Sequence, residues 1–522
     1  MTGEPDLISL LHRADWTRLS LSAEVNDGST LLIAPGRRYR VQTGEYVTGC
    51  DGDRPWELSQ HDVDGHELDG TVHWISGPEP PLRTLLCPAW LLKSSRLEAR
   101  GRVSACGRDA LRVVVTRRQG IWGGTVPAQF RAGDAEVIVD AELGILLRIA
   151  WTGGREAPDV TELVSLDLNP VIDPAQFTPP PGSLIGESFG EGLGTAGPAW
   201  WAVKTAAGLA AGSLGASIRY WPFSHGQPSA ANTGDPEADI PHDDPAPELS
   251  QDGRPSGPQL SDEVLHLLHD SGTGEFAATL HEWHDFGAVL SQVPAAARRT
   301  GFGGLGLLVD SITERSAVSH LVSALRISGP DKYQIDHAYD RQRGPTTIVC
   351  DGQRRWQVYR DKVTVGPATP PPSDIADLAD ASWLLACRLS GGAPVIAGDR
   401  PAYRINVARG DAVWSLSLMF STAVAVVDVE LGILLRLTSY MGGKPVRQYE
   451  LRDITTGTGD FRVDIPPGLP VFEETGPFGD APDAGPSGPV NIPLKVASEV
   501  ARQVAAEATK AARNFLRRMN TR

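Results

Sequence analysis

The chain has 522 residues, 41% hydrophobic and 21% charged, with 48 Lys+Arg against 64 Asp+Glu. Its net charge of −16 argues against the basic surface on which nonspecific nucleic-acid binding runs, and its length allows more than one sizeable core. Five cysteines at scattered positions (50, 87, 106, 350, 387), with no CxxC pair, argue against a disulfide framework or a cysteine zinc site.

The chain opens MTGEPDLISLLHRADW, with charges at Glu4, Asp6, Arg13 and Asp15. A secretory signal needs a basic start and an uninterrupted apolar stretch, so the expected location is cytoplasmic. Strand-like segments follow. LRVVVTRR (111–118), AEVIVD (135–140) and ILLRIAW (145–151) alternate or are β-branched. AELG between Asp140 and Ile145 reads as a hairpin turn in which Gly144 supplies a left-handed conformation. Gly197–Ile218 is broken by a single charge, Lys204, and is long enough to span a bilayer. It is built from Ala, Gly, Ser and Thr, which favours a buried or groove-filling helix over 197–222. Residues 234–259 hold six prolines, seven acids and one base, the signature of a disordered linker, placed at 228–259.

The second half repeats the first. VDAELGILLRI (139–149) returns as VDVELGILLRL (427–437), CDGDRPW (50–56) as CDGQRRW (350–356), and AWLL (89–92) as SWLL (382–385). The PPG at 180–182 returns at 466–468. Colinear matches over this span imply a duplicated domain, with copies at 1–190 and 260–470. Helical periods occur in DEVLHLLHD (262–270) and DIADLADASWLLACRL (374–389). FAATLHEWH, LVSALRIS, YQIDHAYD, TTIVCDG and RWQVYRDKVTV read as strands. After a Pro/Gly-rich linker (471–491), residues 492–522 carry an apolar stripe of Val496, Val500, Val504, Ala508, Ala511, Phe515 and Met519. Seven bases and two acids make this helix basic. Its sharper reading is peripheral contact with the inner membrane surface or a partner. The stripe is mostly Ala and Val, which favours docking within the chain.

In the second copy the motifs come in a fixed order. An opening helix leads to GEFAATLHEW (274–283), then to a strand ending in GPDKYQI (329–335). Next come Asp351, Gly352 and Trp356 in a DG-x-x-x-W strand, a helix, and a D-x-E-x-G hairpin with an arginine in its return strand. This order resembles the LolA/RseB-type superfamily of lipoprotein carriers and lipid-binding envelope proteins. The resemblance implies a curved, incompletely closed antiparallel barrel whose apolar concave face is covered by helices and takes acyl chains or a hydrophobic peptide. The fold expected is thus α+β, mainly antiparallel β: two tandem half-open barrels with covering helices, each followed by an Ala-rich helix.

GLGTAG (192–197) and GFGGLG (301–306) fit G-x-G-x-x-G, but neither follows a convincing strand, and no cofactor is expected. His266, His269, His281 and His284 with Asp270 form the densest histidine cluster. His281 and His284, three apart on a strand, point to opposite faces, so no metal is assigned. Asp140 with Arg148 recurs as Asp428 with Arg436, flanking a hairpin, and reads as a structural ion pair across the turn. Cys50 and Cys350 read as small buried residues. The expected function is non-catalytic binding of a lipid, acyl chain or other hydrophobic ligand. Leu280, Trp283, Leu325, Tyr333 and Trp356 are the groove candidates. The alternative is a regulatory module holding a partner peptide or helix.

Overall fold

The computed structural model describes residues 6–44, 46–52, 55–59, 85–117, 134–151, 160–180, 184–185, 245–250, 254–272, 274–285, 318–337, 347–408, 422–457, 461 and 467–473. The Ala-rich stretch 197–222, both G-x-G-x-x-G segments, most of the 228–259 stretch and the helix expected at 492–522 lie outside the described residues. The chain divides into two compact units. The first is Met1–Gly192 with Pro247–Gly274 and Pro370–Leu437. The second is Leu193–Ala246 with Glu275–Thr369 and Thr438–Arg522. The 260–470 stretch therefore contributes to both units.

The first unit carries an antiparallel sheet built from β1 (Leu21–Val25), β2 (Thr30–Ala34), β3 (Arg38–Thr43), β4 (Tyr46–Asp51), β5 (Pro55–Ser59) and β6 (Ser95–Ala105). It continues with β7 (Arg108–Arg117), β8 (Ala135–Asp140), β9 (Leu146–Trp151), β10 (Val160–Leu168) and β11 (Leu184–Ile185). The order is β11-β5-β4-β3-β2-β1-β10-β9-β8-β7-β6, so the sheet ends on two edges and is open rather than a closed barrel. Alternation sets its faces. Leu21, Ala23 and Val25 are buried on β1, and their neighbours Ile33, Leu31, Tyr39 and Val41 are buried beside them. On the other face Trp56 lies across Gly49, where an added Cβ would come within 2.3 Å of the indole. The 3₁₀ turn Pro174–Phe177 packs on β3 and β4 there, and Trp56 donates Nε1–H to the Phe177 carbonyl at 2.9 Å.

The helices of this unit come from both halves of the sequence: α1 (Leu7–Arg13), α2 (Ala89–Ser94), α3 (Asp262–His269) and α4 (Ser373–Ala379). Asp6 caps α1 by accepting from Ile8 N, and Ser261 caps α3 by accepting from Val264 N. The helical period seen over 374–389 yields less helix than expected. Asp380 adopts an extended conformation and its carboxylate accepts from Ser382 N and Ser271 Oγ, so α4 stops and a 3₁₀ turn, Ala381–Ala386, follows. Helix α1 touches α2 and α3, and the 3₁₀ turn touches α2, α3 and α4. Polar contacts tie these elements. Asp6 meets His266 at 3.1 Å, Arg13 meets Asp262 at 3.2 Å, and His12 Nδ1 lies 3.2 Å from the Leu385 carbonyl. The end of the stretch expected to be linker joins in. Arg254 pairs with Asp15, Ser256 N donates to Glu248 O, and Gly391 N donates to the Pro258 carbonyl. Backbone pairing of this kind offsets the ordering entropy that proline-rich, acidic composition otherwise leaves uncompensated.

Also in the first unit, β18 (Arg388–Ala397), β19 (Arg400–Ala408) and β20 (Thr422–Asp428) pair in sequence, as β6, β7 and β8 do. The chain passes into the second unit within β21 (Leu434–Met441). The second unit holds β12 (Phe276–Asp285), β13 (Val318–Gly329), β14 (Lys332–His337), β15 (Thr347–Asp351), β16 (Arg354–Val358), β17 (Val363–Pro367), β22 (Lys444–Thr456) and β23 (Val471–Glu473). Their order is β22-β12-β13-β14-β15-β16-β17-β23, and β10-β1-β2-β3-β4-β5 runs the same way. All pairs are antiparallel except β17 with β23.

Candidate binding face of the second unit

Register decides which of the groove candidates share a face. Leu280 stands opposite Ser323, Ala278 opposite Leu325, and Phe276 opposite Ile327. Leu325 and Ile327 in turn face Ile335 and Tyr333, which face Ile348 and Cys350. Leu280, Leu325 and Tyr333 therefore lie on one face, at 0%, 1% and 1% exposure, as fully packed core. Trp283 pairs with His320, an odd number of residues from Leu280, and so lies on the opposite face. Trp356 pairs with Val349 and Val365, also on the opposite face, and packs, as Leu469 does, against the cluster of Val358, Val363 and Val365. The five candidates thus split three and two. A strand's period of two puts Trp356 on the face opposite Tyr333 and Cys350.

The face that holds Leu280 changes character along its strands. Toward Phe276 it is aliphatic and aromatic: Phe276, Leu280, Leu325, Ile327, Tyr333, Ile335 and Ile348 are all buried. Beyond Leu280 the same alternation brings up Glu282 and His284, with side chains 15% and 16% exposed and Nε2 of His284 3.5 Å from the Glu282 carboxylate. Opposite them on β22 stand Tyr449 and Arg447. The His284 ring meets the Tyr449 ring edge-on at 5.9 Å, and the Arg447 guanidinium lies over the Tyr449 ring at 4.3 Å. Ser323, next along β13, touches His337 Nδ1 at 3.0 Å. An apolar floor and a polar end thus occupy one face. This polar end is not among the groove candidates, although the alternation L-H-E-W-H through 280–284 already puts Glu282 and His284 in phase with Leu280.

Ser323 with His337 is a hydroxyl–imidazole contact, the pairing from which acyl-transfer sites are built. Here the serine is buried in the middle of a three-strand ladder, between β12 and β14. The backbone at that position pairs with both neighbouring strands.

The expected ion pairs of the repeated hairpins are corrected. Asp140 pairs with Arg108, not Arg148, and Asp428 pairs with Arg400, not Arg436. The cause is register. Asp140 sits opposite Ala110 on β7, which brings Arg108, two residues earlier on the same face, against it; Asp428 sits opposite Ala402 with Arg400 in the same relation. Arg148 stands opposite Glu162 on β10 and bridges Glu136 at 3.2 Å and Glu162 at 3.5 Å. Each buried aspartate also accepts from two backbone N–H groups of the turn, Glu142 and Leu143 at 3.0 and 2.8 Å, Glu430 and Leu431 at 2.9 and 2.7 Å. Each arginine reaches on to a second carboxylate, Glu142 at 2.9 Å or Glu430 at 3.0 Å. Burial pushes the Asp140 carboxyl up, but the hydrogen bonds from Arg108, Leu143 and Glu142 outweigh it and hold the group below its ordinary value. The hairpins are clamps.

The sequence matches no family model and no curated protein. Solved structures align with part of the chain. An uncharacterized conserved protein from Thermus thermophilus aligns at 9% identity over 40% of this chain and 97% of its own, with a TM-score of 0.23. MucB, in its complex with MucA from Pseudomonas aeruginosa, aligns at 16% identity over 35% of this chain and 62% of its own, with a TM-score of 0.22. A LolA superfamily protein from Nitrosomonas europaea aligns at 8% identity over 38% and 94%, with a TM-score of 0.19. Each of these alignments covers 40% of this chain or less, at a TM-score of 0.23 or below. What this chain binds has to be argued from its own residues.

Proposed function

We propose that the chain is a non-catalytic binding protein, a tandem duplication of one open-sheet fold, whose second unit holds an amphipathic ligand of the lipid or acyl-chain class. The duplication is supported by the two identical Arg–Asp–Glu clamps and by the matching strand orders. The observation that carries the ligand class is the single face that runs from Phe276, Leu280 and Leu325 to Glu282, His284 and Arg447. An alkyl tail is driven onto the first part by area burial, at about 25 cal/mol per Å² removed from water. The polar end supplies both signs of charge and a buried phenol to a head group, which orients the ligand without chemistry. Leu280, Leu325 and Tyr333 are buried, so uptake requires the tail to replace their present neighbours.

The test is native mass spectrometry with organic extraction of the purified full chain, together with uptake of a fluorescent fatty-acid analogue. The reading expects an extractable lipid or saturable uptake, weakened severalfold by Arg447→Ala or His284→Ala. A folded protein that yields no lipid and takes up no probe would overturn it. Recovery of a stoichiometric polypeptide in place of lipid would transfer the face to the peptide-binding alternative.

A further inference from the structure

The opposite face of the same unit carries a second arrangement, which is independent of the lipid reading. His281 on β12 stands opposite Val322, and His320 on β13 stands opposite Trp283. The two histidines are diagonal neighbours on one face. Their rings stack at 5.4 Å between centroids with 23° between planes, and Nδ1 of His281 lies 3.3 Å from Nε2 of His320. Both are half-buried, so a small ion can reach them while the sheet restricts their rotamers.

We propose that His281 and His320 form a two-imidazole chelate for a borderline divalent cation of the zinc, nickel or copper class. Metal–imidazole bonds of about 2.0–2.1 Å, opened at a tetrahedral angle, place their nitrogens roughly 3.3–3.4 Å apart. The nitrogens already have that separation, the spacing a shared ion requires. Imidazole nitrogen also suits this class of metal better than calcium or magnesium, which take oxygen. Glu450 on β22 is directly opposite His281 and adds negative charge, though its carboxylate is also held by Arg452 at 2.6 Å. No cluster of three or more histidine, cysteine or acidic side chains with metal-binding geometry occurs among the described residues, so the chelate proposed is of two imidazoles. Binding by two imidazoles is correspondingly moderate.

Isothermal titration of the full chain with zinc chloride and nickel chloride at pH 7.5 tests the site. One equivalent is expected to bind, at least tenfold more weakly in His281→Gln or His320→Gln. His266→Gln, on a different element, leaves the titration unchanged. Mapping of histidine modification by mass spectrometry gives a readout without substitutions: zinc should protect His281 and His320 together. Binding that is undiminished in both Gln variants, no binding at millimolar metal, or zinc protection that spares these two residues would each overturn the proposal.

Discussion

Alanine at Gly144 separates two costs that glycine avoids in this fold. Gly144 has φ +73°, and a Cβ built on it would come within 2.2 Å of the Leu10 carbonyl oxygen and 2.9 Å of its carbon. Those atoms belong to the backbone of α1, which is held by the Asp6 cap and by the fully buried Leu11. Gly107, at the tip of the β6–β7 hairpin, has nearly the same φ, +71°, with nothing within 4 Å of the added carbon. Gly107→Ala therefore reports the left-handed strain alone, about 1 kcal/mol. Gly144→Ala adds an overlap of more than an ångström against backbone, for which overpacking costs of about 1–3 kcal/mol are the guide. Gly432→Ala, with φ +67°, Ser271 Cβ at 3.0 Å and Leu267 O at 3.5 Å, should fall between them. Urea unfolding followed by tryptophan fluorescence reads the three midpoints. If Gly144→Ala unfolds within about 0.5 kcal/mol of Gly107→Ala, the docking of the hairpin on α1 is not what holds the turn.

The clamp predicts that Asp428→Asn destabilises by about 3 kcal/mol, since Arg400 loses its buried partner and keeps only Glu430. Adding Arg400→Met should recover part of that loss in the same unfolding assay, and no recovery would count against the pair as the cause. Burial pushes the His12 imidazole down to about 4, against the Leu385 hydrogen bond that favours charge and with Arg254 and Arg13 adding repulsion. Its folded value lies below its unfolded one, so the unfolded chain binds more protons between them. Stability should therefore fall as pH drops from about 6.5 to about 4, by up to about 3 kcal/mol, and level off below. Urea midpoints across this window check it, with His12→Asn expected to flatten the slope. Gly49→Ala, aimed at the indole 2.3 Å away, should destabilise and be partly rescued by Trp56→Leu, whereas strictly additive midpoints would refute the contact.

Most of the strand content was legible because it rests on period and turn chemistry. The run AEVIVD corresponds to β8 without a shift, and Gly144 has the left-handed φ that its turn position demanded. The helix over 374–389 was overestimated because periodicity cannot see that Asp380 bonds Ser271, 109 positions away in sequence. Pairing partners were harder still. Asp140 and Arg148 flank one turn, and proximity in sequence suggested an ion pair, but a carboxylate at a strand end is met by whatever the neighbouring strand places diagonally opposite. That strand contributes Arg108, and its second-half counterpart contributes Arg400. The repeat R-x-A at 108–110 and 400–402 was present in the sequence, and its value became visible only with the register.

The candidate site follows the same logic. Choosing large apolar residues found three that share a face and two that do not, because size carries no phase. Phase alone would have read 276, 278, 280, 282 and 284 as one surface and exposed its change from phenylalanine and leucine to glutamate and histidine. Buried charge costs several kcal/mol unless it is paired, so the polar residues that end this face need partners. Glu282 with His284, and Arg447 over Tyr449, are groups placed in contact with one another at the end of an otherwise apolar surface. The other phase, 277, 279, 281 and 283, brings His281 to the opposite face, where register sets it beside His320. One ten-residue strand thus carries apolar residues that give way to polar ones on one side, and one imidazole of a pair on the other.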